Sequence, residues 1–201
     1  MTSASVELIV PDKQLTRLGY PSIVVPKLWG SLFFFDEARL SWCPDTGRIY
    51  RVKGEQAKID SPGRNETKYI LGSVEYPGGD GLFEIYDYQR NGEVQKHWQH
   101  LLDEYRDDFL FVVRDNASQH VTPELDGFLK DNADRLCLVP MPTYSPHLNL
   151  IERLWHYMRD NITRSFFHLT FDKLCQTVVD WLKKLPPERL WSLMGLKPII
   201  L

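Results

Sequence analysis

Residues 109–115 read FLFVVRD, a run of five apolar residues followed by Arg114 and Asp115. A continuous apolar run of this length predicts a strand that is buried on both faces of a sheet. Residues 93–107 carry apolar side chains at helical spacing, and residues 123–132 predict a second helix with Thr122 as its cap and a proline in its first turn. A buried strand between two helices is typical of an α/β fold with parallel strands.

The segments on either side extend this pattern to a mixed α/β sheet. The predicted strands are 31–35, 48–52, 68–76, 82–88 and 136–139. The further predicted helices begin at residues 149 and 170, and a short terminal helix follows Pro186 and Pro187. Strands that follow one another without helices predict an antiparallel meander, whereas strands separated by helices predict parallel pairing. We therefore expect a meander followed by parallel strands, with helices on both faces.

Size and composition limit the class of protein. The chain has 201 residues, of which 43% are hydrophobic and 25% are charged, as in an ordinary globular domain. Its apolar runs are far shorter than the ~20 residues of a membrane span, and we expect no membrane partner. The three cysteines form no CxxC pair, which favours reduced thiols over a zinc site. The chain is accordingly expected in the cytoplasm.

Charge is distributed unevenly along the chain. The net charge is −3, yet residues 71–134 hold fourteen acidic and five basic side chains. Residues 46–70 hold six basic and three acidic side chains, and residues 135–201 hold nine and five. The total argues against nucleic-acid binding, but the two basic flanks predict a DNA-facing surface.

Three carboxylates occupy places where catalytic carboxylates are often found. Asp36 follows the first apolar strand, Asp115 follows FLFVV, and Glu152 lies in the first turn of the helix from residue 149. If the two strands are neighbours, the aspartates meet at one edge of the sheet, where α/β proteins bind ligands. Each residue also has a structural interpretation, because the aspartates suit turns and Asn149 with Glu152 resembles a capping box.

Three segments together resemble the DDE transposases of the mariner-like insertion-sequence superfamily. They are FFFDEARLSW (33–42), FVVRDNASQH (111–120) and PTYSPHLNLIERLWHYMR (142–159). The family has a DE pair after its first strand, a DNA-x-x-H segment after a later strand, and a YSPxLNPIE segment followed by Trp. Between Asp115 and Glu152 lie 36 residues, which fits the family spacing. The resemblance covers about residues 31–185 and implies a ribonuclease-H-like fold with a mixed five-stranded sheet.

The resemblance also implies an activity and a cofactor. Asp36, Asp115 and Glu152 would be the catalytic residues and would hold two Mg²⁺ ions, with Mn²⁺ as a substitute. Such a site cleaves DNA strands at the element ends and joins them to target DNA in cut-and-paste transposition. Hard carboxylate ligands suit these ions. Two positions depart from the family pattern, His147 in place of an acidic residue and Leu150 in place of proline.

Domain organisation and partners follow from the same comparison. We expect an irregular arm at 1–30, a catalytic domain at 31–185 and a tail with a short helix at 186–201. Since only 35 residues precede Asp36, the helix-turn-helix modules of the family are expected on a separately encoded partner or to be missing. The active form is expected to be a homo-oligomer on DNA, associated with the nucleoid. Two alternatives remain, an idle fragment that binds DNA or a longer transposase without chemistry, and a nuclease without strand transfer.

Several polar and aromatic residues are candidates for DNA contacts. Basic side chains cluster at 48–68, and Glu152, His156 and Arg159 share one face of their helix. Trp42 suits base stacking but is better placed in the core or at its rim, and His97 and His100 are predicted to lie on the surface. The candidate DNA-binding residues are Arg51, Lys53, Arg64, Lys68, His120, His147 and Arg159.

Overall fold

In the part of the chain that the structure describes, five strands form one mixed sheet. They are Gly30–Ser41 (β1), Thr67–Tyr76 (β2), Gly81–Tyr86 (β3), Phe109–Arg114 (β4) and Leu136–Pro140 (β5). The order across the sheet is β3-β2-β1-β4-β5. β2 pairs antiparallel with β1 and β3, whereas β4 pairs parallel with β1 and β5. The predicted sheet, an antiparallel meander followed by parallel strands, is confirmed.

The computed structural model describes residues 30–45, 58–76, 78–115, 122–141 and 149–195. Two sequence predictions, the strand at 48–52 and the arm at 1–30, therefore lie outside the described residues, the arm apart from Gly30. Within the described part of the chain, none of the helices combines the length and the apolar character needed to cross a membrane.

Among the described residues, five α-helices cover the sheet. Thr122 caps the second of them as predicted, because its hydroxyl accepts a hydrogen bond from the backbone N–H of Leu125. The third helix is followed without a break by a π-helical turn, Arg159–Thr163. The helices are Asn91–Glu104 (α1), Pro123–Asp131 (α2), Ile151–Met158 (α3), Phe171–Lys183 (α4) and Pro187–Met194 (α5).

Alternation along the central strand separates two hydrophobic cores. Leu32 and Phe34 of β1 pack in a core with residues of α3, α4 and α5. Phe33 and Phe35 point to the opposite face and pack in a second core with residues of α1 and α2. This is the two-residue period of a strand that is covered on both sides. The helix expected within the tail, α5, buries Leu190 in the first core.

The first strand is longer than the apolar run predicted. We expected it to end at Phe35, but β1 continues to Ser41. The extension exists because β2 pairs along it as far as Ser41 and Thr67, and because Ala38 and Leu40 are buried. Asp36 consequently lies inside the strand. Its parallel pairing with β4, however, ends at Phe34 and Val113.

A buried polar network joins β2, β3 and α1 on the α1 face of the sheet. Neutral His97 donates from Nδ1 to Glu84 Oε2 (2.7 Å), and its Nε2 lies 2.9 Å from Ser73 Oγ, which donates to it. His100 Nδ1 and the Tyr86 hydroxyl also donate to the Glu84 carboxylate, at 2.7 and 2.9 Å. The surface position predicted for His97 is wrong, since its side chain is wholly buried, whereas His100 is exposed as predicted.

These contacts set the acid sensitivity of the fold. Burial alone would raise the pKa of Glu84, but the hydrogen bonds from the two histidines outweigh it and lower the pKa to about 2. Burial lowers the pKa of His97 from its ordinary value of 6.5. The unfolded chain therefore binds more protons than the folded one, for His97 below about pH 6.5 and for Glu84 from about pH 4.5 down to 2. Stability must fall on acidification through both windows.

Replacing Glu84 by Gln tests this network. The variant is expected to lose roughly 1–3 kcal/mol of unfolding free energy at neutral pH, because it weakens charge-assisted hydrogen bonds from buried donors. It should also lose less stability than the wild type between pH 4.5 and 2. Urea denaturation at several pH values measures both effects. The exposed Glu104→Gln substitution on α1 is the control and should stay close to wild type; equal losses in both variants would contradict the assignment.

Candidate active site

Strand register brings the two predicted catalytic aspartates together. Phe34 lies opposite Val113 in the parallel pair of β1 and β4. Asp115 is exposed and comes directly after the last residue of β4, two residues beyond Val113. Asp36 lies two residues beyond Phe34 within β1, so its side chain takes the same face as that of Phe34. That face belongs to the core beneath α3.

The third predicted acid comes from the helix that packs on this face. Glu152 is the second residue of α3 and is half-buried. The capping box considered for Asn149 and Glu152 is not formed, because Leu150 occupies the N-cap position without a side-chain cap bond. A backbone bond from Glu152 N–H to Asn149 O (3.1 Å) forms the first turn instead.

The carboxylates of Asp115 and Glu152 both influence the pKa of Asp36. That pKa is raised from 3.8 to about 7, mainly by burial, next by the negative charge of Glu37, and to a smaller extent by Asp115 and Glu152, whereas a backbone hydrogen bond from Glu37 lowers it. Like charges raise the pKa of a carboxyl group more strongly the nearer they lie. The fold thus gathers the predicted acids, although they are separated by up to 116 residues in sequence.

A tryptophan on the same helix binds the first acid directly. Trp155 is three residues after Glu152, and its Nε1 donates a hydrogen bond to Asp36 Oδ2 at 3.0 Å. Its ring packs edge-on against Phe83, with ring centroids 6.2 Å apart. Trp155 is the tryptophan that follows the YSPxLNPIE-like segment, and the sequence analysis did not predict this bond. The sequence did offer one indication, because a residue three positions after Glu152 lies beside it on the helix surface and can face the same site.

Gly72 makes room for that ring. It lies opposite Asp36 in β2, and a Cβ atom there would be only 2.5 Å from Trp155 Cη2 and 3.1 Å from Phe83 Cδ1. A glycine inside a strand often marks the close approach of another group. The glycine within the predicted strand KYILGSVEY (68–76) was therefore the sequence feature that indicated a close neighbour at this position.

A family comparison decides the class of protein. The family model described as DDE superfamily endonuclease matches residues 31–175. The chain belongs to the DDE endonuclease superfamily. The match spans Asp36, Asp115 and Glu152, so the resemblance drawn from the sequence is confirmed.

Two curated proteins are similar in sequence to this DDE chain. It is 27% identical over 139 residues to the insertion element IS630 uncharacterized 39 kDa protein of Shigella sonnei, covering 67% of this chain and 39% of the relative. It is 28% identical over 130 residues to the uncharacterized protein y4pE/y4sA of Sinorhizobium fredii, covering 64% of this chain and 91% of the relative. The chain therefore spans about two fifths of the Shigella protein.

Solved structures show the same fold. The DDE chain superposes on Mos1 transposase in its paired-end complex with the left transposon end with a TM-score of 0.64 at 16% identity, covering 90% of this chain and 55% of that one. The isolated catalytic domain of Mos1 mariner transposase gives a TM-score of 0.58 at 14% identity, with 90% and 81% coverage. The ribonuclease-H-like fold predicted from the sequence is confirmed.

Three of the predicted DNA-binding residues lie in the described part of the chain. Arg64 pairs with Glu66 at 2.8 Å, and Lys68 pairs with Asp87 at 3.3 Å. Lys68 is four residues from Gly72 along β2, which is about 14 Å at the rise of an antiparallel strand. Arg159 is half-buried at the first residue of the π-helical turn. The remaining candidates lie outside the described residues, namely Arg51, Lys53, His120 and His147.

Aromatic Trp42 occupies the core rim, as the sequence suggested. Its ring packs against Phe171 with centroids 6.4 Å apart, and its Nε1 donates to the backbone oxygen of His168 at 2.9 Å. The Arg64 guanidinium lies over the Trp42 ring, 5.6 Å from the ring centroid. These contacts leave Trp42 a structural role at the end of β1.

The carboxylate oxygens of the three predicted acids are suitable ligands for a divalent cation. Three oxygen donors whose mutual repulsion raises the pKa of Asp36 are the environment that a hard cation stabilises. Among the residues that the structure describes, no three His, Cys, Asp or Glu side chains are grouped closely enough to hold a metal ion. The three carboxylates fit the implied ions by residue type, whereas the spacing of the described side chains does not form a ligand cluster.

Proposed function

We propose that this chain is the catalytic domain of a transposase that cleaves DNA strands at the ends of an insertion element and joins them to target DNA. The observation that carries the proposal is that β1, the end of β4 and the first turn of α3 bring Asp115 and Glu152 within electrostatic range of Asp36. Membership of the DDE endonuclease superfamily and the likeness to an insertion-element protein support it.

The proposed cofactor is a pair of Mg²⁺ ions, with Mn²⁺ as a substitute, held by Asp36, Asp115 and Glu152. Mos1 paired-end complexes have been solved with Mn and with Mg, which supports this choice. When bound, such ions supply the positive charge that stabilises attacking and leaving oxygens in phosphoryl transfer. The protein would contribute the three carboxylates, a tryptophan that holds one oxygen of Asp36, and an apolar core behind that residue.

The proposed partners are the DNA of the element ends and the target DNA. Mos1 has been solved with a transposon end and as a strand transfer complex, which supports DNA as the substrate class. We further propose that the chain acts as a homo-oligomer on nucleoid DNA, with a helix-turn-helix partner for end recognition. The proposed DNA surface comprises Arg51, Lys53, Arg64, Lys68, His120, His147 and Arg159.

Strand cleavage and strand joining can be measured separately. The protein is incubated with a labelled duplex carrying the element end, with and without a target plasmid, in Mg²⁺ or Mn²⁺. We expect nicking in both reactions and a joined product only with target DNA. Cleavage without joining would instead indicate a nuclease, and the absence of both would indicate an idle fragment.

Removal of divalent ions is expected to abolish both products. Excess EDTA should reduce cleavage to the level of a protein-free control, because the carboxylates alone carry no positive charge for the phosphodiester. Adding Mg²⁺ or Mn²⁺ beyond the chelator should restore cleavage, and Ca²⁺ at the same concentration is the control for general ionic effects. Cleavage that persists in EDTA would contradict a metal-dependent mechanism.

A further inference from the structure

Trp155 and Asp36 form a hydrogen bond inside the protein. The Trp155 side chain is only 2% exposed, and its Nε1 lies 3.0 Å from Asp36 Oδ2. Because an indole nitrogen can only donate, the bond has one direction, and it favours the ionised carboxylate. One oxygen of Asp36 is therefore held, and the other is left for the chemistry of the site.

The same helical turn carries Glu152. Residues three apart on a helix are neighbours on its surface, so Trp155 is rigidly linked to Glu152 through the backbone of α3. The bond to Asp36 thus fixes the distance between β1 and the turn that supplies the third acid. Gly72 allows this packing, because the Trp155 ring occupies the space that a side chain at position 72 would need.

We propose that Trp155 is a positioning residue, which sets the orientation of Asp36 and its distance from Glu152. This inference rests on the proposed function, because it assigns Asp36 and Glu152 to one site. Residues that orient the ligands of a metal site typically change metal affinity or activity by ~10–100-fold when they are replaced. Loss of the indole N–H should have an effect in that range.

Trp98 supplies a matched control on the opposite face of the sheet. It is as deeply buried as Trp155 and packs edge-on against Phe35, with centroids 5.4 Å apart. Its Nε1, however, has no hydrogen-bond partner among the described residues. Replacing either tryptophan by Phe removes a similar volume from a core, but only Trp155→Phe removes a donor to a candidate catalytic acid.

The test compares Mn²⁺ binding and cleavage for the two variants in the full chain. Free Mn²⁺ measured by electron paramagnetic resonance gives the affinity, and single-turnover cleavage of element-end DNA gives the rate. We expect Trp155→Phe to weaken Mn²⁺ binding by about tenfold and to slow cleavage by ~10–100-fold, with little change in KM for DNA. Trp98→Phe should lose comparable stability in urea and keep both values.

A single-atom replacement covers the case in which Trp155→Phe fails to fold. Benzothienylalanine at position 155 keeps the shape of the indole and replaces its N–H by sulfur, so it should show the same losses. Wild-type Mn²⁺ affinity and cleavage in that protein would overturn the positioning role. A wild-type protein that neither binds Mn²⁺ nor cleaves DNA would overturn the proposed function, and the inference with it.

Discussion

Replacing Asp36, Asp115 or Glu152 by its amide is expected to reduce strand cleavage by about 10³-fold or more in each case, as when one member of a group that acts together is removed. The amide keeps the shape of the side chain but cannot contribute negative charge to a cation site. In the Asp36→Asn variant, the carbonyl oxygen of the new amide would still accept the hydrogen bond from Trp155. The loss should therefore be chemical and not structural.

Stability should change in the opposite direction. Burial and the charge of Glu37 raise the pKa of Asp36 most, and the charges of Asp115 and Glu152 add to this. Removing any one of the three candidate charges therefore relieves repulsion in the folded state. Each amide variant is expected to have a Tm at or above that of the wild type, measured without divalent ions. Loss of activity with gain of stability is the signature of a site that is arranged for function.

Glu75→Gln is the matched control for this series. Glu75 is a partly buried carboxylate of the same sheet, whose pKa is raised by burial and then by Asp80. It lies opposite Phe33 in β2, beyond the candidate site. Cleavage by this variant should stay within about twofold of wild type, as expected of a change outside the site. If it fell as far as in the Asp115→Asn protein, the assignment of the three acids would be wrong.

Replacing Gly72 by Ala is expected to damage both fold and activity. The new methyl group would lie 2.5 Å from Trp155 Cη2, closer than carbon atoms can approach, and the ring is confined by Phe83. Overpacking of this kind costs roughly 1–3 kcal/mol. Because the displaced ring carries the donor to Asp36, cleavage should fall by ~10-fold or more. Urea denaturation and the cleavage assay measure the two effects.

Gly127→Ala provides a control of opposite sign. Gly127 lies in the middle of α2, and a Cβ there would meet nothing within 4 Å. Alanine in a helix interior is favoured over glycine by roughly 0.5–1 kcal/mol. This variant should be more stable than wild type with unchanged cleavage. A Gly72→Ala protein that behaves in the same way would show that the ring is not seated as the structure indicates.

Much of the fold could be predicted because its signals are local. The apolar run at 109–113, the helical spacing at 93–107 and the cap at Thr122 each depend on neighbours within a few residues, and each predicted the element that is observed. The end of β1 could not be predicted in this way. Its last six residues include Asp36, Glu37 and Arg39, and they remain in the strand because β2 pairs beside them.

His97 shows the same limit for a single side chain. His97 lies on a helix among polar and charged residues, and this local pattern predicts a position on the surface. Its burial depends on Ser73 of β2 and Glu84 of β3, which provide a donor and an acceptor at the correct distance. A polar side chain can be buried only where such partners exist, and the partners come from other strands.

The sequence by itself determined the order of strands and helices, the superfamily and the choice of the three candidate acids, because these depend on periodicity, on short segments and on spacing. Only the tertiary structure decided how the acids are held. The bond between Trp155 and Asp36 joins residues 119 positions apart, and the seat of the ring at Gly72 depends on strand register. Contacts of this kind arise from packing one element on another, for which the local sequence carries no distance information.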